Sequence, residues 1–194
     1  MGGFNETTHE AKKKEIMVHS FECYAEHGLG SANIRDLAKA SGISSGNLYT
    51  YFDDLDDLII QSTEFNMSRV EDEFMEKAPK TVDELWRFIG EIPYWTAKTH
   101  GKKYRLMYQI YTHPKYIEYG KKFFDGVNKR YTEYAASLAD SVMIPKEKLT
   151  PLIFILIRAC VHFALFEDEF YLKSQMSVLR ETLEYFIREY KQIS

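Results

Sequence analysis

Apolar residues along this chain recur at intervals of three and four nearly throughout, the spacing of a helix face, and no segment shows a convincing strand pattern. Ile16, Met17, Ser20, Phe21 and Tyr24 share one face of a first helix, which Gly28 stops after His27. Asn33 caps a second helix that buries Ile34, Leu37 and Ala38, and Asp36 completes a variant of the capping box. Gly42 breaks that helix and a third starts at Ser44 or Ser45, so two helices joined by a very short turn must cross steeply. In the third, Leu48 and Phe52 point to the core while Asn47, Tyr49 and Thr50 face outward. A fourth begins in Asp53-Asp54-Leu55-Asp56-Asp57 and runs to about Lys77.

Five more helices follow by the same spacing: Val82 to His100 with Pro93 inside it, Lys102 to Thr112, Lys115 to Ser141, about Lys146 to Glu167, and Ser174 to Gln192. The eighth carries one stripe of Leu149, Leu152, Leu156, Cys160 and Phe163 and a second of Ile153, Ile157, Val161 and Ala164, so it needs two packing partners. The ninth places Met176, Leu179, Leu183, Phe186 and Tyr190 along a seam. The pattern predicts an all-α chain of about nine helices: an N-terminal three-helix domain and a larger C-terminal bundle. A second copy is expected to complete the bundle through the last two helices, a homodimer, with a large internal core as the alternative.

With 45% hydrophobic and 15% aromatic residues but only 10 Gly and 5 Pro in 194 residues, the composition argues against disorder, collagen-like repeats and a turn-rich sandwich. A chain of this size buries roughly two thirds of its unfolded surface, so neither metal nor disulfide is needed for stability. Cys23 and Cys160 read as buried thiols of a reducing compartment. Met1 to Lys14 is polar and ends in Lys12-Lys13-Lys14, which is no signal peptide, and the expected location is cytoplasmic. Leu152 to Phe166 falls short of the roughly 18 residues that span a bilayer and contains Arg158 and His162, so it reads as a buried helix and no membrane contact is expected.

Ile16 to Leu58 resembles the DNA-binding domain of the tetracycline-repressor (TetR) family of transcriptional regulators. Ile16-Met17, Phe21, Tyr24-Ala25 and Gly28 resemble its first helix and Asn33-Ile34-Arg35-Asp36-Leu37-Ala38 its second. Ala40-Ser41-Gly42-Ile43-Ser44-Ser45-Gly46-Asn47-Leu48-Tyr49-Thr50-Tyr51-Phe52 is similar to the turn and recognition helix almost position by position. The likeness implies a helix-turn-helix domain over 1–58, a linking fourth helix at 53–77, and an effector-binding and dimerisation domain over 59–194. It also implies that Arg35, Ser45, Gly46, Tyr49 and Thr50 read base edges, Arg35 being suited to guanine, while Asn33, Asn47, Tyr51 and the Lys12-Lys13-Lys14 arm hold phosphates. For Tyr49 and Tyr51, packing is the alternative role.

Charge runs against this reading. Residues 1–66 hold five Lys and Arg against eleven Asp and Glu, a net of −6, whereas phosphate neutralisation ordinarily makes a DNA-binding half basic. The family often has a lysine where Leu55 stands, and here four aspartates surround it; they also suit a helix N-terminus. Residues 67–194 are nearly neutral, with 20 Lys and Arg against 18 Asp and Glu.

In that half Tyr104, Tyr108, Tyr111, Tyr116, Tyr119, Phe123, Phe124, Tyr131 and Tyr134 crowd together, joined by Trp95 upstream and by Phe163 and Phe166 downstream. Such a group suits either a Tyr-rich core or a pocket for an apolar or aromatic small molecule. Trp95, Tyr104, Tyr108, Tyr111, Phe124, Tyr131, Arg158 and His162 are the candidate effector residues. Arg158 and His162 lie four apart on a face expected to be dry, where the guanidinium needs an anionic partner from the protein or the ligand. His19, Cys23 and His27 share a face but lack a fourth group for zinc, so no metal or cofactor is expected. With no HExxH pair, Walker loop, GxSxG elbow or clustered CxxC, an enzyme is the least favoured class. The expectation is a repressor that an apolar effector releases from a DNA operator. The alternative is a ligand- or protein-binding helical module of the same fold with weak or lost DNA binding.

Overall fold

A computed structural model describes residues 3–30 and 32–191. It contains eight helices and, among the described residues, no strand: α1 (Gly3–His27), α2 (Ile34–Ala40), α3 (Ser45–Leu48), α4 (Leu55–Glu76), α5 (Val82–Tyr111), α6 (Ile117–Val142), α7 (Lys146–Phe166) and α8 (Glu169–Lys191). The all-α expectation holds, with differences in the count and the ends. The two helices expected on either side of Gly101 are one 30-residue helix, α5, which also runs through Pro93. A buried glycine costs a helix only about 1 kcal/mol, and the packing of both flanks exceeds that. α1 begins at Gly3, so Lys12-Lys13-Lys14 lies on a helix, and α8 begins at Glu169 ahead of the expected Ser174. The expected end at Gln192 lies outside the described residues.

Contacts divide the chain into two compact units, and the division cuts α4, α5 and α6. One unit joins the N-terminal residues through Asp72 with Arg105–Phe123. Its core holds Ile16 and Phe21 of α1, Leu37 of α2, Leu48 of α3 and Met67 of α4. Asn66 ties α4 to α1 by donating its amide to the Met17 carbonyl at 3.0 Å. Gly42, at φ +66°, closes α2: the Ile43 N–H reaches the Ala38 carbonyl and the Gly42 N–H that of Lys39. Gly120 at the start of α6 meets the end of α5 so closely that a Cβ there would lie 2.7 Å from Tyr111 Cβ.

The other unit joins Glu73–Tyr104 with the chain from Phe124 onward. Its core centres on Ile89, Tyr131, Leu138, Leu149, Leu156 and Leu183. The first α7 stripe is buried throughout, while Ile153 and Ile157 of the second are half-buried. At 21 residues α7 is long and apolar enough to cross a bilayer on length and composition, contrary to the sequence reading, but it spends its main stripe on this core. Cys160 is buried, as expected, and Cys23 is only half-buried. His100 is buried on α5 with Nε2 3.3 Å from Glu73 and Trp95 edge-on at 4.9 Å. Burial holds its imidazole below the ordinary 6.5, against the pull of the Glu73 carboxylate and with the help of Lys103.

Two outcomes follow from this packing. Gly120→Ala loses about 1–3 kcal/mol in urea unfolding, because Tyr111 and the backbone beside it must move. His100 resists protonation in the folded chain, so between its depressed value and 6.5 the unfolded chain binds more protons. Stability therefore falls as pH drops below about 6.5. His100→Asn flattens that slope in unfolding curves taken from pH 7.5 to 5; an unchanged slope places the titration elsewhere.

Candidate nucleic-acid interface and effector cavity

Asn33 accepts from the Arg35 and Asp36 backbone N–H groups, and Asp36 accepts from that of Asn33, the reciprocal box the sequence implies. This sets the start of α2. Ser44 caps α3 by accepting from the Asn47 N–H at 3.3 Å. Regular α bonding ends at Leu48, earlier than expected, and turns carry the chain to Phe52 through bonds from Tyr51 and Phe52 to the Leu48 carbonyl. Leu48 and Phe52 are buried, and Gly46, Asn47, Tyr49 and Thr50 lie on the outside, Tyr49 with 56% of its surface free. Gly46 has open space where a Cβ would stand. Arg35 is exposed, and Ser45 is half-buried.

The residues assigned to phosphates are more occupied. Lys12 donates to the Ser41 carbonyl and pairs with Glu15, both at 3.0 Å. Lys13 lies over the Phe52 ring at 5.3 Å, and Asn33 Oδ1 is committed to the cap. Tyr51 stacks on His9 of α1, centroids 4.5 Å apart, a partner the sequence reading missed because it placed this segment before the first helix. The aspartates at α4 have distinct work. Asp54 accepts from the Asp57 N–H and Asp57 from the Asp53 N–H and Gln61, while Asp56 turns to Lys115 and Tyr116.

The aromatic residues do not form a single pocket. Tyr108 and Tyr111 belong to the first unit; Trp95, Tyr104, Phe124, Tyr131, Arg158 and His162 belong to the second. The second unit encloses an apolar cavity of about 30 Å³, walled chiefly by Leu, Ile and Phe side chains from α4 to α8. Tyr131 is the one candidate effector residue on that wall; Tyr134, also there, donates its hydroxyl to the Pro79 carbonyl at 2.7 Å. Trp95 lines a separate open groove of about 300 Å³ beneath Lys77, whose ammonium lies 4.7 Å from its ring.

Two assignments on α7 need correction. Arg158 is exposed, its guanidinium 5.6 Å from the Phe124 ring, because Pro151, Ile155 and Arg158 form the outward strip of α7. His162 is part-exposed, with Nε2 3.5 Å from Asp168, against Tyr171. The Asp168 carboxyl is held low first by its bond from the Tyr171 N–H and then by His162.

A family model, bacterial regulatory proteins of the tetR family, matches residues 16–61, from the core face of α1 into α4. That match covers the helix-turn-helix segment, about a quarter of the chain. A TetR transcription regulator from Haloarcula marismortui superposes with TM-score 0.66 at 16% identity, covering 91% of this chain and 98% of that one. A protein from Mesorhizobium loti assigned to the TetR-family transcriptional regulators reaches 0.70 at 15% identity, covering 94% and 98%. The multidrug binding protein EbrR, complexed with malachite green, reaches 0.56 at 18% identity, covering 88% and 96%. At these identities the likeness carries the fold. No curated protein sequence matches. The family-model match falls on α1 to the start of α4, and the solved structures share the all-α fold over nearly the whole chain.

Proposed function

We propose that this chain is a homodimeric repressor of the tetR type whose recognition segment Ser45–Thr50 reads base edges together with Arg35. The observation that carries this reading is the division of the segment into two faces. Leu48 and Phe52 anchor it, leaving Gly46, Asn47, Tyr49 and Thr50 open to a major groove. Asn47 and the lysines of α1 hold phosphates, Lys12 and Lys13 after leaving their present partners. Asp54 and Asp57, committed to capping, carry their charge as helix N-terminal groups.

Two such segments roughly 34–36 Å apart fit successive grooves of a pseudo-palindromic operator. Pairing through α7 and α8 is supported by the apolar residues those helices leave exposed, among them Ile155, Val178 and Tyr185. The released state binds an apolar effector in the cavity beside Tyr131. A cavity of about 30 Å³ holds little more than a water, so an effector selects a more open form of the unit. Trp95, Tyr104, Tyr108, Tyr111, Phe124, Arg158 and His162 then act around that opening or not at all. EbrR, with malachite green bound, is a precedent for small-molecule binding on this fold.

The net charge of −6 in residues 1–66, with Lys12, Lys13 and Tyr51 held by protein partners, favours a second reading: a ligand- or protein-binding module with weak DNA affinity. Fluorescence anisotropy against duplex from upstream of the chain's own gene separates the two. The repressor binds it selectively, with an affinity that falls steeply with salt, and the module does not. Tyr49→Ala abolishes selective binding while the dimer persists in sedimentation; binding that survives removes this docking. Leu152→Trp, which fills the cavity wall, lowers the fluorescence gained by the neutral apolar dye Nile red at least several-fold. Unchanged dye binding moves the effector site elsewhere.

A further inference from the structure

Within the first unit, one polar cluster joins residues sixty positions apart. Tyr116 donates its hydroxyl to Asp56 Oδ1 at 2.5 Å, and Lys115 pairs with Asp56 Oδ2. Tyr116 is buried, with only 6% of its surface exposed, and its ring is pinned by His113 at 5.4 Å, whose Nδ1 accepts the Lys115 N–H. The hydroxyl of Tyr24, itself buried on α1, has no hydrogen-bond partner and adds to the strongly polar surroundings of this site. The Lys115 bond, and then that of Tyr116, holds the Asp56 carboxyl below the usual carboxylate range, while burial and the carboxylate push Tyr116 up to about 12.

Asp56 stands in the first turn of α4, five residues beyond Tyr51. Unlike Asp54 and Asp57 it has no capping bond, so its side chain serves the turn between α5 and α6. We propose that Tyr116 and Lys115 are positioning residues for the recognition segment: by gripping Asp56 they fix the start of α4, and with it the angle at which Gly46–Thr50 meets DNA. The grip also neutralises one of four aspartates beside the expected phosphates. This inference rests on the docking proposed above.

Charge and positioning predict opposite signs for one substitution. Asp56→Asn removes a negative charge from the DNA side; if charge alone mattered, affinity would rise. A positioning role makes it fall, on the order of fivefold to tenfold, because a charge-assisted bond is lost. Tyr116→Phe gives a similar loss, and the double variant loses little more than either, since both remove one grip. The probe is the duplex that the unmodified protein enriches from a random-sequence pool, titrated by anisotropy.

Hydrogen exchange of the free protein is the second readout, with amides in 48–58 exchanging faster in both variants. Lys115→Met, at a largely exposed side chain, keeps the fold and shows the same effects at smaller size. Equal or tighter DNA binding by Asp56→Asn, additive losses, or unchanged exchange overturns the positioning role. Tyr49→Ala tells the two failures apart. DNA binding that survives it overturns the docking; binding lost there but unaltered by Asp56→Asn overturns the grip alone. If the unmodified protein enriches no duplex, the docking fails and the exchange rates decide the grip.

Discussion

The burial of Leu48 and Phe52 is the constraint on which the outward face of the α3 segment depends. Both side chains are nearly inaccessible, and they fix the roll of a segment with only one turn of regular α bonding. So short a helix has little stability of its own, since nucleation is unfavourable and few bonds repay it. Its orientation therefore comes from the Ser44 cap, the Gly42 turn and the apolar contacts beneath it. Every outward position of the segment follows from that roll.

Electrostatics acts on this frame in an unusual way. An acidic N-terminal half is a poor starting point for binding a polyanion, yet its aspartates at α4 are mostly structural groups. Asp54 and Asp57 satisfy free backbone N–H groups at the helix start, where a negative charge is favoured. Asp56 is matched by a lysine and a phenol brought from the far side of the sequence. The field at this surface depends on where those charges are held more than on their sum.

In the second unit the same helical spacing produces a different outcome. Apolar residues from five helices close around a space too small for a drug-sized molecule. The tyrosines that look like a pocket in the sequence are spread between two units, and several serve as ordinary core or hydrogen-bond donors.

The sequence by itself determined what depends on neighbours along the chain. The helical class, the Asn33–Asp36 box, the Gly42 stop and the two faces of the recognition segment are all local properties, legible in spacing and capping chemistry. The start of α1 was less legible because a polar amphipathic turn gives no apolar period, and the continuity of α5 because a glycine looks like a break until its packing is known. Contacts between distant segments were decided only by the tertiary structure. It placed His9 on Tyr51 and Tyr116 on Asp56, turned Arg158 outward, and chose Tyr131 for the cavity wall. Periodicity names the face of a helix, but the partner that covers that face is set by how remote helices pack, and no local pattern encodes it.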